Sequence, residues 1–130
     1  MKLRQTHAGF GPRRMAVQRA VLLATVFLIA SASQALTIRE LRGLELSDKK
    51  NGPNYVQYYL VGAMEGALEA NAQTVRQGAK ALFCLNGRRL EPRMAKPLFD
   101  AELKRNAGLY EADMPVQLVL VNALATSYTC

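Results

Sequence analysis

The sequence has little of the chemistry that most enzymes use. Its 130 residues include one histidine, two cysteines and no tryptophan, and His7 lies in an amino-terminal segment that we expect to be removed. Without histidine the rest of the chain cannot assemble a Ser–His–Asp or Cys–His catalytic group. Zinc sites draw on several Cys or His ligands, and no glycine-rich loop followed by Lys-Ser or Lys-Thr is present. We therefore predict no catalytic residue, no metal site and no cofactor.

Long hydrophobic runs are also absent. The longest strongly apolar run, Ala20–Ala30, has 11 residues, whereas a membrane-spanning helix needs about 20. Basic residues precede this run, and small residues follow it up to Ala35, a pattern typical of a cleaved signal peptide. We predict removal of residues 1–35 by cleavage before Leu36, with Met15 as an alternative translation start. The other interpretation is an uncleaved membrane anchor.

The chain carries an excess of positive charge, and most of this excess lies in the predicted signal peptide. The net charge is +7, from 17 basic and 10 acidic residues, but five of the basic residues lie within 1–35, so the remainder is close to +2. Binding to nucleic acid through its phosphates needs a broad basic surface, and we exclude it. The mature domain, 36–130, is long enough for one hydrophobic core and is predicted to be exported, without stable membrane insertion.

Apolar residues recur at helical spacing through the mature domain, and no alternating pattern predicts a strand. The expected fold is all-α, a small bundle of about four helices with one disulfide. The predicted helices cover residues 36–46, 55–77 with Pro53 in a first helical turn, 92–106 and 114 onwards.

Particular residues set the expected helix ends. Pro97 should kink the third helix or mark its true start, and Asn106-Ala107-Gly108 should end that helix with a residue that tolerates the left-handed conformation. Asp113 is a good N-cap for the last helix, with Pro115 just inside it. The buried stripe of the last helix should consist of Val116, Val119, Leu120, Ala123 and Leu124.

The main helix combines aromatic and very small residues on one stripe. Tyr55 and Tyr59 are followed by Gly62, Gly66 and Ala70 at steps of three and four residues. A glycine inside a helix costs about 1 kcal/mol relative to alanine. We therefore expect a neighbouring helix to approach the two glycines closely, so that the contact offsets the cost. Glu65 and Glu69 are expected to be solvated.

Cys84 and Cys130 are predicted to form a disulfide, because an exported domain folds in an oxidising compartment. They lie 46 positions apart, and closing a loop of this length removes denatured-state entropy worth on the order of 4 kcal/mol. The alternative is a reactive thiol, which requires a neighbouring base such as histidine for its activation.

Exposed polar turns are the candidate binding sites of a domain with so little catalytic equipment. The candidate partner contacts are Asn86, Arg88, Arg89, Arg93 and Lys96 around one predicted loop, and Asp48, Lys49 and Lys50 in another. The alternative for each is a solvated charge. Asp100 and Glu102 are two positions apart, a spacing at which helical side chains do not face each other.

These features together resemble a known family. The motif Tyr59-x-x-Gly62-x-x-Glu65-Gly66 in the long helix, Cys84 after an apolar residue, and an Ala123-Leu124 helix leading to Cys130 resemble the Rap/Tai-type immunity proteins, which accompany amidase effectors of type VI secretion. The resemblance covers most of the mature chain.

The resemblance implies an all-helical periplasmic protein, often a homodimer, that binds a peptidoglycan-cleaving amidase toxin and blocks its cleft. It also implies that Tyr59, Gly62, Glu65 and Gly66 serve as a structural motif, with Tyr59 and the two glycines as scaffold for helix packing. The alternative function is a general periplasmic stress or chaperone-like protein, and an enzyme ranks third.

Overall fold

The computed structural model describes residues 35–130, so nearly all of the predicted signal peptide lies outside the described part. The first helix, α1 (Ile38–Ser47), begins at a capping box. The Thr37 hydroxyl accepts a hydrogen bond from the Glu40 amide at 3.2 Å, and the Glu40 carboxylate accepts one from the Thr37 amide at 2.8 Å. This exchange satisfies two backbone donors that a helix start otherwise leaves free. Thr-x-x-Glu is a sequence signature for it.

A tight turn separates α1 from the long helix α2 (Gly52–Arg76). The Asp48 carboxylate accepts hydrogen bonds from the backbone amides of Lys50 and Asn51, both at 3.0 Å. Gly52 is buried against α1, and a Cβ there would lie 2.5 Å from the Glu45 carbonyl oxygen. The close approach requires glycine at this position, and Pro53 lies in the first turn of the helix, as predicted.

A short 3₁₀ turn, Pro92–Met94, leads into α3 (Ala95–Arg105). Pro97 lies in the first turn of α3, where the backbone N–H has no partner within the helix. It therefore marks the true start of the helix, one of the two predicted outcomes. The helix ends at Arg105 with Asn106 as its C-cap, which confirms the predicted end, and the glycines with positive φ in 35–130 are Gly78 and Gly87 rather than Gly108.

The last helix, α4, covers Val116–Ser127. The prediction that Asp113 caps it is wrong: Pro115 is the N-cap residue, and no side chain caps the helix. The Val116 amide instead donates to the Leu36 carbonyl at 2.9 Å, and Thr37 and Pro115 form an isolated β-bridge. Backbone from the start of the domain thus replaces a side-chain cap.

The core forms around α4, which packs against α2 and α3, while α1 packs against α2. The predicted buried stripe of α4 is confirmed at all five positions. The fold is all-α, with four α-helices and no β-strand in the described part of the chain. None of the helices in 35–130 is both long enough and apolar enough to cross a bilayer. The other buried core side chains include Ile38, Leu41, Val56, Leu60, Met64, Phe83, Ala95, Phe99 and Tyr128.

Candidate functional site

The predicted disulfide between Cys84 and Cys130 is present, and it forms the base of an exposed loop, Leu85–Leu90, which we call the Cys84 loop. The two Cα atoms are 4.7 Å apart. The Cys84 amide also donates to the Tyr128 carbonyl at 2.7 Å. The segment before Cys84 is attached to α2 by Asn71, whose side chain accepts from the Leu82 amide at 2.8 Å and donates to the Phe83 carbonyl at 2.9 Å. The loop therefore rises from a firmly held base.

The loop itself turns at Asn86-Gly87. Both residues have positive φ, 51° and 78°, and the Arg88 amide donates to the Leu85 carbonyl at 2.9 Å. Two left-handed central residues define a type I′ turn, for which Asn-Gly is the preferred sequence. The predicted turn is thus present, closed by the hydrogen bond between Arg88 and Leu85.

The two arginines of the Cys84 loop have different environments. The Arg88 guanidinium lies over the Tyr128 ring, 4.5 Å from its centroid, and its Nε donates to the Leu85 carbonyl at 3.0 Å. Arg88 thereby braces the loop against the buried end of α4. Arg89 is exposed and makes no hydrogen bond or ion pair within 35–130, so its charge is available to another molecule.

The remaining predicted basic contacts are dispersed. Lys49 and Lys50 are exposed in the turn between α1 and α2, and no hydrogen bond or ion pair of the described residues connects that turn to the Cys84 loop. Arg93 pairs with Glu91 at 2.6 Å, and Lys96 pairs with Asp100 at 2.9 Å. Both of these cations are therefore paired, whereas Arg89 is the exposed cation of the Cys84 loop without a partner among the described residues.

A second surface feature is an open groove between α2 and α4, with a volume of about 580 Å³. It contains three of the four motif residues. A Cβ added to Gly62 or Gly66 would meet no atom within 4 Å, so the expected close approach of a neighbouring helix is wrong for residues 35–130. The groove is lined by Tyr58, Tyr59, Gly62, Ala63, Gly66, Ala67, Ala70, Gln117 and Val121.

Exposed apolar side chains lie beside this groove. Tyr58 is 76% exposed, Tyr55 48% and Leu118 43%. Glu65 and Glu69 are solvated, as predicted, and Glu69 pairs with Arg76, the last residue of α2. A surface that combines exposed aromatics with a bare helix face is typical of a contact with another protein.

A hydrogen-bonded triad lies at one end of the groove. The Tyr59 hydroxyl accepts hydrogen bonds from the Leu36 amide at 3.2 Å and from Gln117 Nε2 at 2.5 Å. The other amide atom of this glutamine, Oε1, is buried and has no hydrogen-bond partner in the described structure. Buried polar atoms are normally paired, so this acceptor has unused capacity.

The burial of Glu102 was not predicted from the sequence. It is 2% exposed, and its carboxylate accepts hydrogen bonds from Tyr110 Oη at 2.7 Å, Asn106 Nδ2 at 2.8 Å and Arg105 Nη1 at 3.2 Å. Burial, together with Glu102, raises the pKa of Tyr110, while a hydrogen bond from Asn122 acts in the opposite direction. The cluster is fully paired and holds α3 to α4, which indicates a structural role.

Within 35–130 no group of three or more His, Cys, Asp or Glu side chains is placed to hold a metal ion. Comparison of the chain with protein-family models, with curated proteins and with solved structures found no match.

Proposed function

We propose that this protein is a periplasmic immunity protein, which binds a peptidoglycan-degrading amidase toxin of type VI secretion and blocks its cleft. The resemblance of the Tyr59-x-x-Gly62-x-x-Glu65-Gly66 segment to Rap/Tai-type proteins suggests this class. The observation that supports it best is the Cys84 loop, a basic turn whose base and tip are both held in place.

Rigidity matters for an inhibitor because binding a mobile loop costs conformational entropy that a preorganised loop does not lose. Three contacts restrain the Cys84 loop: the disulfide, the type I′ turn and the Arg88–Tyr128 stack. Arg89 would then be the residue that contacts acidic groups of the toxin, while Arg88 positions the loop.

The test is binding between the purified exported protein and the product of an amidase gene encoded beside its own. Arg89→Glu should weaken binding at least about tenfold, since it places like charges together. Lys80→Glu is the matched control, because Lys80 is also exposed and makes no ion pair among the described residues. Equal affinities of the two variants for the toxin would show that the Cys84 loop is not part of the interface. Absence of binding by the unaltered protein would reject the proposed function.

A homodimer is part of the proposal, and the groove face of α2 is the surface that suits it. Tyr55 and Tyr58 precede the bare positions Gly62 and Gly66 along α2. Antiparallel packing of α2 from two copies would therefore place the tyrosines of one copy opposite the glycines of the other. No charged residue occurs from Gly52 to Met64. This uncharged amino-terminal half of α2 in one copy is the positive end of its helix dipole. It would lie against the carboxyl-terminal half of α2 in the other copy, which contains Glu65.

Analytical ultracentrifugation tests the dimer. Gly66→Leu should shift the protein to monomer by filling the contact, whereas Gly43→Leu adds the same side chain to α1, where a Cβ also meets nothing within 4 Å. A protein that is monomeric at all concentrations, or a dimer that tolerates Gly66→Leu, would contradict this arrangement.

The second candidate is a general chaperone-like protein, which the exposed Tyr58 and the open groove favour. Apolar grooves of this kind also suit unrelated unfolded segments. Suppression of aggregation of several different clients would support it, whereas an immunity protein should bind one partner.

A further inference from the structure

The predicted cleavage site coincides with the start of the folded structure. Cleavage before Leu36 would make Leu36 the amino-terminal residue, and Leu36 is also the first residue that is attached to the domain. It is half-buried, packs against the core, and forms hydrogen bonds through both its amide and its carbonyl. Ala35, on the other side of the bond, is exposed. The bond that the peptidase cuts is therefore the boundary between anchored and exposed backbone.

Cleavage changes the chemistry of the Leu36 nitrogen. Hydrolysis of the Ala35–Leu36 peptide bond consumes one water, leaves a carboxylate on Ala35, and converts the Leu36 amide into an amine that is protonated near neutral pH. One N–H donor becomes three, and a positive charge appears. This nitrogen already lies 3.2 Å from the Tyr59 hydroxyl oxygen.

The surroundings hold the nitrogen in this position after cleavage. The Leu36 carbonyl accepts from the Val116 amide at 2.9 Å, and the Ile38 amide donates to the Met114 carbonyl at 3.0 Å. The Thr37–Pro115 bridge lies between these two bonds. Because the backbone is fixed on the carboxyl side of Leu36, its nitrogen stays at the end of the groove.

The glutamine that contacts the same tyrosine has an acceptor without a donor among the described residues. Gln117 Oε1 is buried and unpaired in the described structure, and it belongs to the amide whose nitrogen is 2.5 Å from Tyr59 Oη. An ammonium group keeps the hydrogen bond to the Tyr59 oxygen and brings two further donors to a site where Gln117 Oε1 has none within 35–130, and charged donors make stronger hydrogen bonds than neutral ones. We propose that Tyr59 and Gln117 form the binding site for the α-ammonium group that signal-peptide removal creates on Leu36.

This assignment gives the motif tyrosine a role that the helix-packing interpretation lacked. Signal-peptide removal would then complete the fold by adding a charged, hydrogen-bonded terminus at the junction of α1, α2 and α4. The inference rests on the export part of the proposed function and is independent of toxin binding.

The experiment uses the full chain, exported and processed by a Gram-negative host, with the product identified by intact mass. The readout is the rate at which a succinimidyl ester acylates the α-amine, located by peptide mapping. Hydrogen bonds donated by the ammonium stabilise the protonated form, which does not react. Tyr59→Phe should therefore accelerate labelling about fivefold, in line with the loss of a hydrogen bond from a charged donor.

Tyr58→Phe is the matched control, since it removes the same hydroxyl from the neighbouring residue, which is 76% exposed. It should label at the unaltered rate. Insertion of one serine between Ala35 and Leu36 moves the terminus about 3.5 Å along the chain and should also accelerate labelling without altering a side chain.

Two results would overturn the proposal. One is a processed product that does not start at Leu36. The other is equal labelling of the Tyr59→Phe and Tyr58→Phe proteins, with circular dichroism showing both folded. Neither result depends on whether the protein binds an amidase.

Discussion

Glu102 is the buried carboxylate of the described domain, and its three hydrogen-bond donors replace the water that burial removes. Glu102→Ala should lower the free energy of unfolding by about 3 kcal/mol, because it leaves the Tyr110 hydroxyl and the Asn106 amide without their acceptor. Asp100→Ala on the exposed side of α3 is the control and should change it by about 0.5 kcal/mol or less. Urea unfolding measures both, and similar values would show that the cluster contributes little.

Glu40 and Asp48 make the stability of the two ends of α1 dependent on pH. Hydrogen bonds from the backbone and then the side chain of Thr37 lower the pKa of Glu40 below its usual 4.5, and those from Asn51 and then the Lys50 amide lower the pKa of Asp48 below its usual 3.8. A carboxylate with a lowered folded-state pKa stabilises the fold above the unfolded-state pKa, and this stabilisation is lost as pH falls through the folded-state value.

Thermal stability should therefore decline from about pH 4.5 downwards. Glu40→Gln retains the capping-box hydrogen bond in a form that does not titrate, so its decline should be shallower. Glu65→Gln, at an exposed carboxylate without a hydrogen bond among the described residues, should decline like the unaltered protein. Parallel curves for all three proteins would show that the cap does not contribute to the acid response.

Among the helices, α2 has glycines in opposite environments. Gly62 and Gly66 face open space, so Gly62→Ala and Gly66→Ala should each raise the free energy of unfolding of the monomer by about 1 kcal/mol. Gly52→Ala should lower it, because the new Cβ would clash with the Glu45 carbonyl oxygen. Urea unfolding at dilute protein concentration measures the three, and destabilisation at Gly62 would indicate that another group covers it.

For the domain as a whole, the disulfide should be the largest single contribution to stability. The variant Cys84→Ala/Cys130→Ala should lose up to about 4 kcal/mol, as estimated from loop-closure entropy for cysteines 46 positions apart. A dithiol should lower the stability of the unaltered protein by a similar amount and leave the variant unchanged. A fully stable reduced protein would contradict the estimate.

Local sequence patterns predicted the helices and the α4 core well. Helical periodicity depends on the near neighbours of each residue, and the stripe from Val116 to Leu124 is buried as expected. The pairing of Cys84 with Cys130 was also accessible, since the chain has two cysteines and an export pattern. Helix ends were less accessible, because the amino-terminal end of α4 is capped by backbone about 80 positions earlier in the chain: the Val116 amide donates to the Leu36 carbonyl, and Pro115 forms a bridge with Thr37.

The features of the candidate sites depended on contacts distant in sequence. Whether Gly62 and Gly66 are covered depends on the position of α4, and whether Arg88 is free depends on Tyr128. Amino-acid order was enough to establish the helices, their buried faces and the disulfide, since these follow from spacing and composition. Only the packed chain decided that the glycine face stays open, that Glu102 is buried and that Leu36 meets Tyr59, because each depends on which helices lie against one another.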